Sequence, residues 1–178
     1  MIRVVPHINT SRLTLRAMRM EDFDRFAEIW AQPEVVKHIS GKPRSRGQSW
    51  TAFLRNAGQW QVTGFGQWAI EARASGQMIG QTGFFNRGRD LGPDFDDYPE
   101  AGWVLAAEAQ GAGLGVEAAQ AVHDWYDRVI PGPLVALIDP RNLTSMKMAS
   151  VLGYSELREA VYEGDPVQLL RRDKAPQQ

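Results

Sequence analysis

The stretch Gln110-Gly111-Ala112-Gly113-Leu114-Gly115, running directly into Val116-Glu117-Ala118-Ala119, decides how the rest of this chain is read. Glycines at 111, 113 and 115 remove side chains where a backbone must turn tightly or let another group come close. Leu114, Ala118, Ala121, Val122, Trp125 and Val129 then recur at helical spacing, so the glycines open an amphipathic helix. A helix N-terminus offers N–H groups without intrahelical partners and the positive end of the macrodipole, a combination suited to phosphate. Upstream, Trp103-Val104-Leu105 reads as a short strand, so the local plan is strand, glycine turn, helix.

The turn lacks the Gly-Lys-Ser/Thr ending that would bring a lysine to the outer phosphates of a nucleoside triphosphate. It also fails the dinucleotide fingerprint, because Val116 stands where the third glycine belongs and no βαβ unit precedes it. A glycine loop with no ligand remains an alternative on these residues alone.

At 178 residues the chain suits one domain, residues 1–178, with a sizeable core. Hydrophobic content of 43% and charged content of 23% are ordinary for a globular protein. A net charge of −1 gives no broadly basic surface, so nucleic acid is not an expected partner. No apolar run approaches the ~20 residues that span a bilayer, and Met1 to His7 lacks the apolar core of a signal peptide, so we expect no membrane association and a cytoplasmic protein. The absence of cysteine excludes disulfides, thiol nucleophiles and thiolate metal sites. His7, His38 and His123 share no metal-ligand spacing, so no metal is expected, and His123 on the central helix reads as structural.

Along the chain, Arg12 to Arg16 alternates as a half-buried strand does, and a helix begins at Glu21-Asp22, buries Phe23, Phe26, Ala27 and Trp30, and stops at Pro33. A second helix is predicted from Arg46 to Val62. Gly66 to Glu71 and Met78 to Phe85 read as paired strands, with Gly80 and Gly83 marking a bulge or a close backbone approach. From Gly88 to Glu100 an irregular acidic loop carries Asp90, Asp94, Asp96, Asp97 and Glu100; it is either a solvated loop or a lip that attracts a cationic amine. Leu134 to Ile138 is a strand buried on both faces, Thr144 to Val151 a short helix, Tyr154 to Val161 and Val167 to Arg171 a closing pair, and 172–178 a polar tail.

Gln110-x-x-Gly113-x-Gly115 resembles the pyrophosphate loop of the GNAT acyl-CoA-dependent N-acetyltransferases, and Glu117-Ala118 resembles the Rim-type branch, which includes N-terminal acetyltransferases of ribosomal proteins. Asn142-Leu143-Thr144-Ser145 with Leu152-Gly153-Tyr154 is similar to the family's second signature, and flanking matches extend the resemblance over residues 10–170. The resemblance implies an α/β (α+β) GNAT fold: a mixed, mostly antiparallel sheet of about seven strands with splayed central strands, flanked by about four helices. It implies acetyl-CoA as co-substrate, held by Gln110, Gly111, Ala112, Gly113, Leu114 and Gly115 at the pyrophosphate, by Trp103, Val104 and Leu105 at the pantetheine, and by Asn142 and Ser145. It also implies that the first two helices flank the acceptor entrance. Asn142 equally suits an N-cap. Many members carry a tyrosine as the acid for the departing thiolate where this chain has Ala149, so Ser145 is the expected catalytic acid. Glu100 is the first choice as base and Asp97 the second, with water able to relay the proton.

The partner is then an amine acceptor, a protein N-terminus or a small molecule such as a polyamine or an antibiotic. A non-catalytic acyl-CoA-binding module is the alternative in a different class. A lysine-like amine of pKa ~10.4 is neutral in about one molecule in 2,500 at pH 7, against roughly one in ten for an α-amine, which favours the α-amine where no strong base is evident. Asp94, Asp96 and Asp97 are the expected acceptor-binding residues, and a homodimer is allowed.

Overall fold

A computed structural model of the protein describes residues 4–173. Eight strands form one sheet: β1 (Ile8–Asn9), β2 (Leu13–Arg16), β3 (Gln67–Ala72), β4 (Gln77–Phe85), β5 (Glu100–Leu105), β6 (Leu134–Ile138), β7 (Ser155–Tyr162) and β8 (Asp165–Arg172), in the order β1-β2-β3-β4-β5-β6-β8-β7. Six helices flank it: α1 (Phe23–Ala31), α2 (Pro33–Val36), α3 (Arg46–Thr63), α4 (Pro93–Asp96), α5 (Leu114–Val129) and α6 (Leu143–Val151). Every neighbouring pair is antiparallel except β5 and β6. Those two run parallel and match only at Glu100 and Val135, then part towards Leu105 and Ile138. The expected GNAT sheet with splayed centre is therefore present.

The period-2 alternation of β3 sorts its side chains onto two cores. Trp68 and Ile70 join Leu13, Leu15 and Phe84 beneath Ala118, Val122 and Trp125 of α5, while Ala69 joins Phe23, Phe26, Trp30 and Phe53 of α1 and α3. On the α1/α3 side, Phe95 of α4 extends the core over Val135, Val167 and Leu169. The end of α3 folds over the sheet so that Trp60 meets Trp68 edge-on at 4.5 Å between centroids and donates Nε1 to the Gln67 carbonyl. Ser45 caps α3 by accepting from the Gln48 N–H, and the Gln48 side chain returns the bond to Ser45. This reciprocal box starts the helix where the sequence places it. Among the described residues no helix is long and apolar enough to cross a membrane.

Four expectations are corrected. The strand Ile8–Asn9 was not foreseen, because two residues carry no periodicity; it forms by pairing with β2. Residues 33–36 form one helical turn after the expected stop, because Pro33 sits at the first helical position, where it costs no hydrogen bond. The acidic loop contains the turn α4, likewise opened by a proline after Gly92. Finally, Arg172 is not tail but strand: it is 1% exposed, bonded to both carboxylate oxygens of Asp127 and to the Leu152 carbonyl. The rest of the expected tail, beyond Asp173, lies outside the described residues.

Gly80 and Gly83 are positions of close approach. A Cβ at Gly80 would lie 2.2 Å from the Val104 carbonyl oxygen, and one at Gly83 2.2 Å from that of Gly66. Gly80→Ala therefore forces β4 away from β5, and we expect a loss of about 2 kcal/mol or more in urea unfolding. A midpoint unchanged from wild type would show that the two strands tolerate separation.

Candidate functional site

The glycine turn follows β5 and a 3₁₀ turn at Ala107–Ala109. Gly111 and Gly113 have φ of +81° and +77°, in the left-handed region that costs a residue with a Cβ. With Gly113 as N-cap, α5 has no side-chain cap. Among the described residues the N–H groups from Gly111 to Val116 donate to no backbone or side-chain acceptor. A row of unpaired donors at the positive end of a sixteen-residue helix is a fitting cradle for pyrophosphate. Gly115 serves packing instead, since a Cβ there would sit 3.0 Å from Leu105 Cδ1. Gln110 reaches back to donate Nε2 to the Leu105 carbonyl at 3.1 Å, closing the end of β5.

The turn is fixed from a distant part of the chain. Glu117, in the first turn of α5, accepts bonds from the Thr10 hydroxyl, the Ser11 hydroxyl and the Arg12 N–H on one oxygen, and from Arg12 Nε at 2.6 Å on the other. The same guanidinium donates to the Ala112 carbonyl at 2.9 Å. Burial works to raise the Glu117 pKa, but these donors prevail and hold it down at about 2. The sequence displayed both ends of this clamp yet not their pairing, which spans 105 positions.

β5 and β6 form the walls of the cleft. Beyond Glu100 no β5 residue pairs with β6, so the edge of Trp103, Val104 and Leu105 that faces β6 lacks ladder partners. An amide-bearing chain such as pantetheine fits such an edge by supplying the missing bonds. At the mouth stands α6. Asn142 caps it by accepting from the Ser145 N–H at 3.1 Å, so the capping role is realised, and its amide N–H₂ has no partner among the described residues. The Ser145 hydroxyl oxygen accepts Trp103 Nε1–H at 3.3 Å, and its own proton has no acceptor among the described residues. Ala149 is fully buried against the sheet, and the Ser145 hydroxyl beside Trp103 is half-buried.

His123 is structural in its contacts. It is 1% exposed, and its Nδ1 must carry hydrogen because it faces the Ala119 carbonyl at 2.7 Å. Nε2 then accepts the Tyr154 hydroxyl at 2.9 Å, tying the Leu-Gly-Tyr segment to α5. Burial, only partly offset by the Ala119 bond, lowers its pKa to about 4 and keeps it neutral.

The carboxylates expected at the acceptor site are otherwise engaged. Glu100 is 5% exposed, and Arg89 occupies both of its oxygens, at 2.6 and 2.7 Å. Asp94 pairs with Arg158 at 2.7 Å. Asp96 accepts the N–H groups of Arg89, Leu91 and Gly92 and so pins its own loop. Asp97 alone of the three is exposed. Asp94 and Asp96 thus fasten a loop, and Glu100 is buried with both oxygens in an ion pair to Arg89. A different pair stands at the cleft. Asp139 directly follows β6, and its Oδ2 lies 3.3 Å from Nδ1 of His38, which follows α2. Residues that meet across 101 positions leave no local sequence signal. Among the described residues no three metal-ligating side chains cluster as a metal site would need.

The family model described as acetyltransferase (GNAT) domain matches residues 12–155. A GnaT-family acetyltransferase from Bordetella pertussis is 32% identical, with 93% of this chain and 98% of that one aligned at a TM-score of 0.83. A ribosomal L7/L12 alpha-N-protein acetyltransferase, RimL, in complex with coenzyme A is 17% identical over 95% and 98% of the two chains at a TM-score of 0.76. The AAC(6')-Ib protein in complex with paromomycin and acetyl-CoA is 15% identical over 92% and 94% at 0.74. At those two identities the likeness is one of fold alone.

Glu117 gives a test of the clamp. Its folded pKa lies below its ordinary 4.5, so its stabilising contribution is complete above about 4.5 and is lost as pH falls towards about 2. Glu117→Gln should melt below wild type at neutral pH, with the difference closing as the pH falls through that window. A difference that stays constant with pH would place the effect outside the carboxylate's charge.

Proposed function

The chain belongs to the GNAT acetyltransferase family, and from that premise we propose that it transfers an acetyl group from acetyl-CoA directly to a primary amine. The observation that carries this reading is the parting of β5 from β6 beside the unpaired N–H groups of Gly111 to Val116, a slot and a phosphate cradle in series. The donor would lie with its pyrophosphate on the turn, from Gln110 to Gly115, and its pantetheine along Trp103, Val104 and Leu105, near Asn142 and Ser145.

A thioester is already activated, so no covalent enzyme intermediate is required. The amine nitrogen attacks the carbonyl carbon, the C–N bond forms, and the C–S bond breaks. Ser145 gives its free proton to the departing thiolate and recovers one through water from the acylated ammonium. The Trp103 indole N–H, donating to the Ser145 oxygen, steadies the charge that develops there. We assign proton removal from the incoming ammonium to His38 in place of Glu100. Asp139 is held down at about 2, first by the Arg141 side chain and against its burial, so it remains an acceptor. An ionised Asp139 fixes hydrogen on Nδ1 of His38 and leaves the Nε2 lone pair free. The acceptor we favour is an α-amine such as a protein N-terminus, as in the Rim-type branch, because an imidazole base suits an amine that loses its proton readily.

With acetyl-CoA and a peptide bearing a free N-terminus and blocked lysines, CoA-thiol release should be faster than with the converse peptide; faster release from the lysine peptide would overturn the acceptor assignment. Ser145→Ala should lower kcat by about 10²-fold with acetyl-CoA affinity nearly unchanged in calorimetry. Unaltered kcat at saturating amine would remove Ser145 from the chemistry. His38→Gln should lower kcat/KM by ~10²-fold, and the loss should shrink at alkaline pH, where the amine arrives already neutral. A loss independent of pH would mean that His38 only shapes the cleft.

A further inference from the structure

On the α1/α3 face of the sheet, arginines from three separate segments converge. Arg44, ahead of α3, donates its N–H to the Trp30 carbonyl and lays its guanidinium over the Trp30 ring, 3.5 Å from the centroid. Trp30 Nε1 in turn donates to Gln81 Oε1, which also receives Asn56 Nδ2 from α3. Next to Asn56 is Arg55, one helical turn before Gln59 and on the same side of α3. Gln59 clasps the backbone of Asn86, donating Nε2 to its carbonyl at 2.9 Å and accepting its N–H at 3.2 Å. That clasp brings the following residue, Arg87, up to Arg55.

Among the described residues none of these three guanidinium groups is in an ion pair. The nearby Arg89 is spent on Glu100, and Asp96 on its own loop. Burial, then repulsion from Arg55 and Arg87, pushes the Arg44 pKa down to about 10. Like charges held together without a counter-charge raise the energy of the free protein and make an anion welcome. The cluster borders the cleft: Gln81, which links Trp30 to Asn56, is in register with Val104 of β5.

We propose that Arg44, Arg55 and Arg87 form an anion-binding subsite on the acceptor side of the cleft, and that the amine acetylated here carries a carboxylate close to its nitrogen. This rests on the acetyl-transfer reading, with the amine entering over the α1/α3 face. It reverses the expectation of a cation-collecting lip and disfavours polyamines and aminoglycosides, whose additional charges are positive. A carboxylate matches the planar guanidinium fork. An acidic peptide N-terminus and a small amino dicarboxylic acid share this chemistry.

The test measures binding of reaction products, which needs no turnover. Wild-type protein saturated with CoA is titrated calorimetrically with an acetylated, C-terminally amidated tripeptide having glutamate and aspartate at its second and third positions. The same peptide with the matching amides, and N-acetylglutamate, are titrated alongside. We expect the acidic peptide or N-acetylglutamate to bind at least about tenfold tighter than the amide peptide, with the preference shrinking in high salt. Whichever of the two binds tighter identifies the source. Arg55→Gln with Arg87→Gln should abolish the preference and leave CoA affinity unchanged, and Arg55→Lys with Arg87→Lys should restore part of it. Both positions are exposed, and a wild-type melting curve confirms the fold. Equal or undetectable binding of acidic and amide ligands, or a preference that survives the glutamine pair, overturns the proposal. A preference that holds while none of the corresponding free amines is acetylated supports the subsite and counts instead against the proposed function.

Discussion

Everything in this molecule answers to one rule, that backbone N–H and C=O groups removed from water require partners. The sheet breaks that rule in one place on purpose. β5 and β6 share a single matched pair, at Glu100 and Val135, and then diverge. The divergence survives because each strand has a full antiparallel neighbour on its other side, β4 for one and β8 for the other. Side chains then wedge the gap: Leu134, Ala136 and Ile138 pack with Met148 and Ala149 of α6, while Leu105 packs against Gly115 of α5. The two helices that carry the unpaired donors are therefore seated on opposite walls of the same slot.

Charge is distributed with equal economy. Arg12, Arg16 and Arg172 are locked to carboxylates remote in sequence, and Arg89 to Glu100 across its own loop. Arg16 is the most heavily used, with Asp22 on two nitrogens and Glu71 on the third while only 4% exposed. Removing one partner of such a pair would strand a buried charge, which makes these contacts expensive to break even where they add little net stability. Arg44, Arg55 and Arg87 stand apart from that pattern because they lie together without a carboxylate, and departures of that kind collect where a ligand completes the structure.

Much of the architecture was legible in the chain because its elements carry strong periodic signals. Leu134 to Ile138 is a strand over the residues the sequence assigned, and α3 begins at Arg46, where the sequence placed it. The loop-to-helix turn at Gly113 was equally plain. The misses have two causes. Ile8–Asn9, α2 and α4 are too short for periodicity, and the His38–Asp139 and Glu117–Arg12 contacts join residues about a hundred positions apart. The acidic run misled for a related reason. Composition shows that Asp94 and Asp96 are charged, but not that Arg158 and three backbone N–H groups already hold them. Single-chain reading sees the donors and acceptors; folding decides which ones remain unspent.

The clamp on Glu117 links local motion in two parts of the fold. Thr10, Ser11 and Arg12 lie between the edge strand β1 and its neighbour β2, and all three hold the first turn of α5. An edge hairpin of two-residue pairing would ordinarily fray in isolation. Here its connection cannot peel away without releasing the helix start, and the helix start cannot unwind without freeing the hairpin. The two form one opening unit, so their amide protons should exchange with solvent at a common rate, set by the joint opening of both. A ligand seated on the turn thereby slows exchange at an edge of the sheet that it never touches.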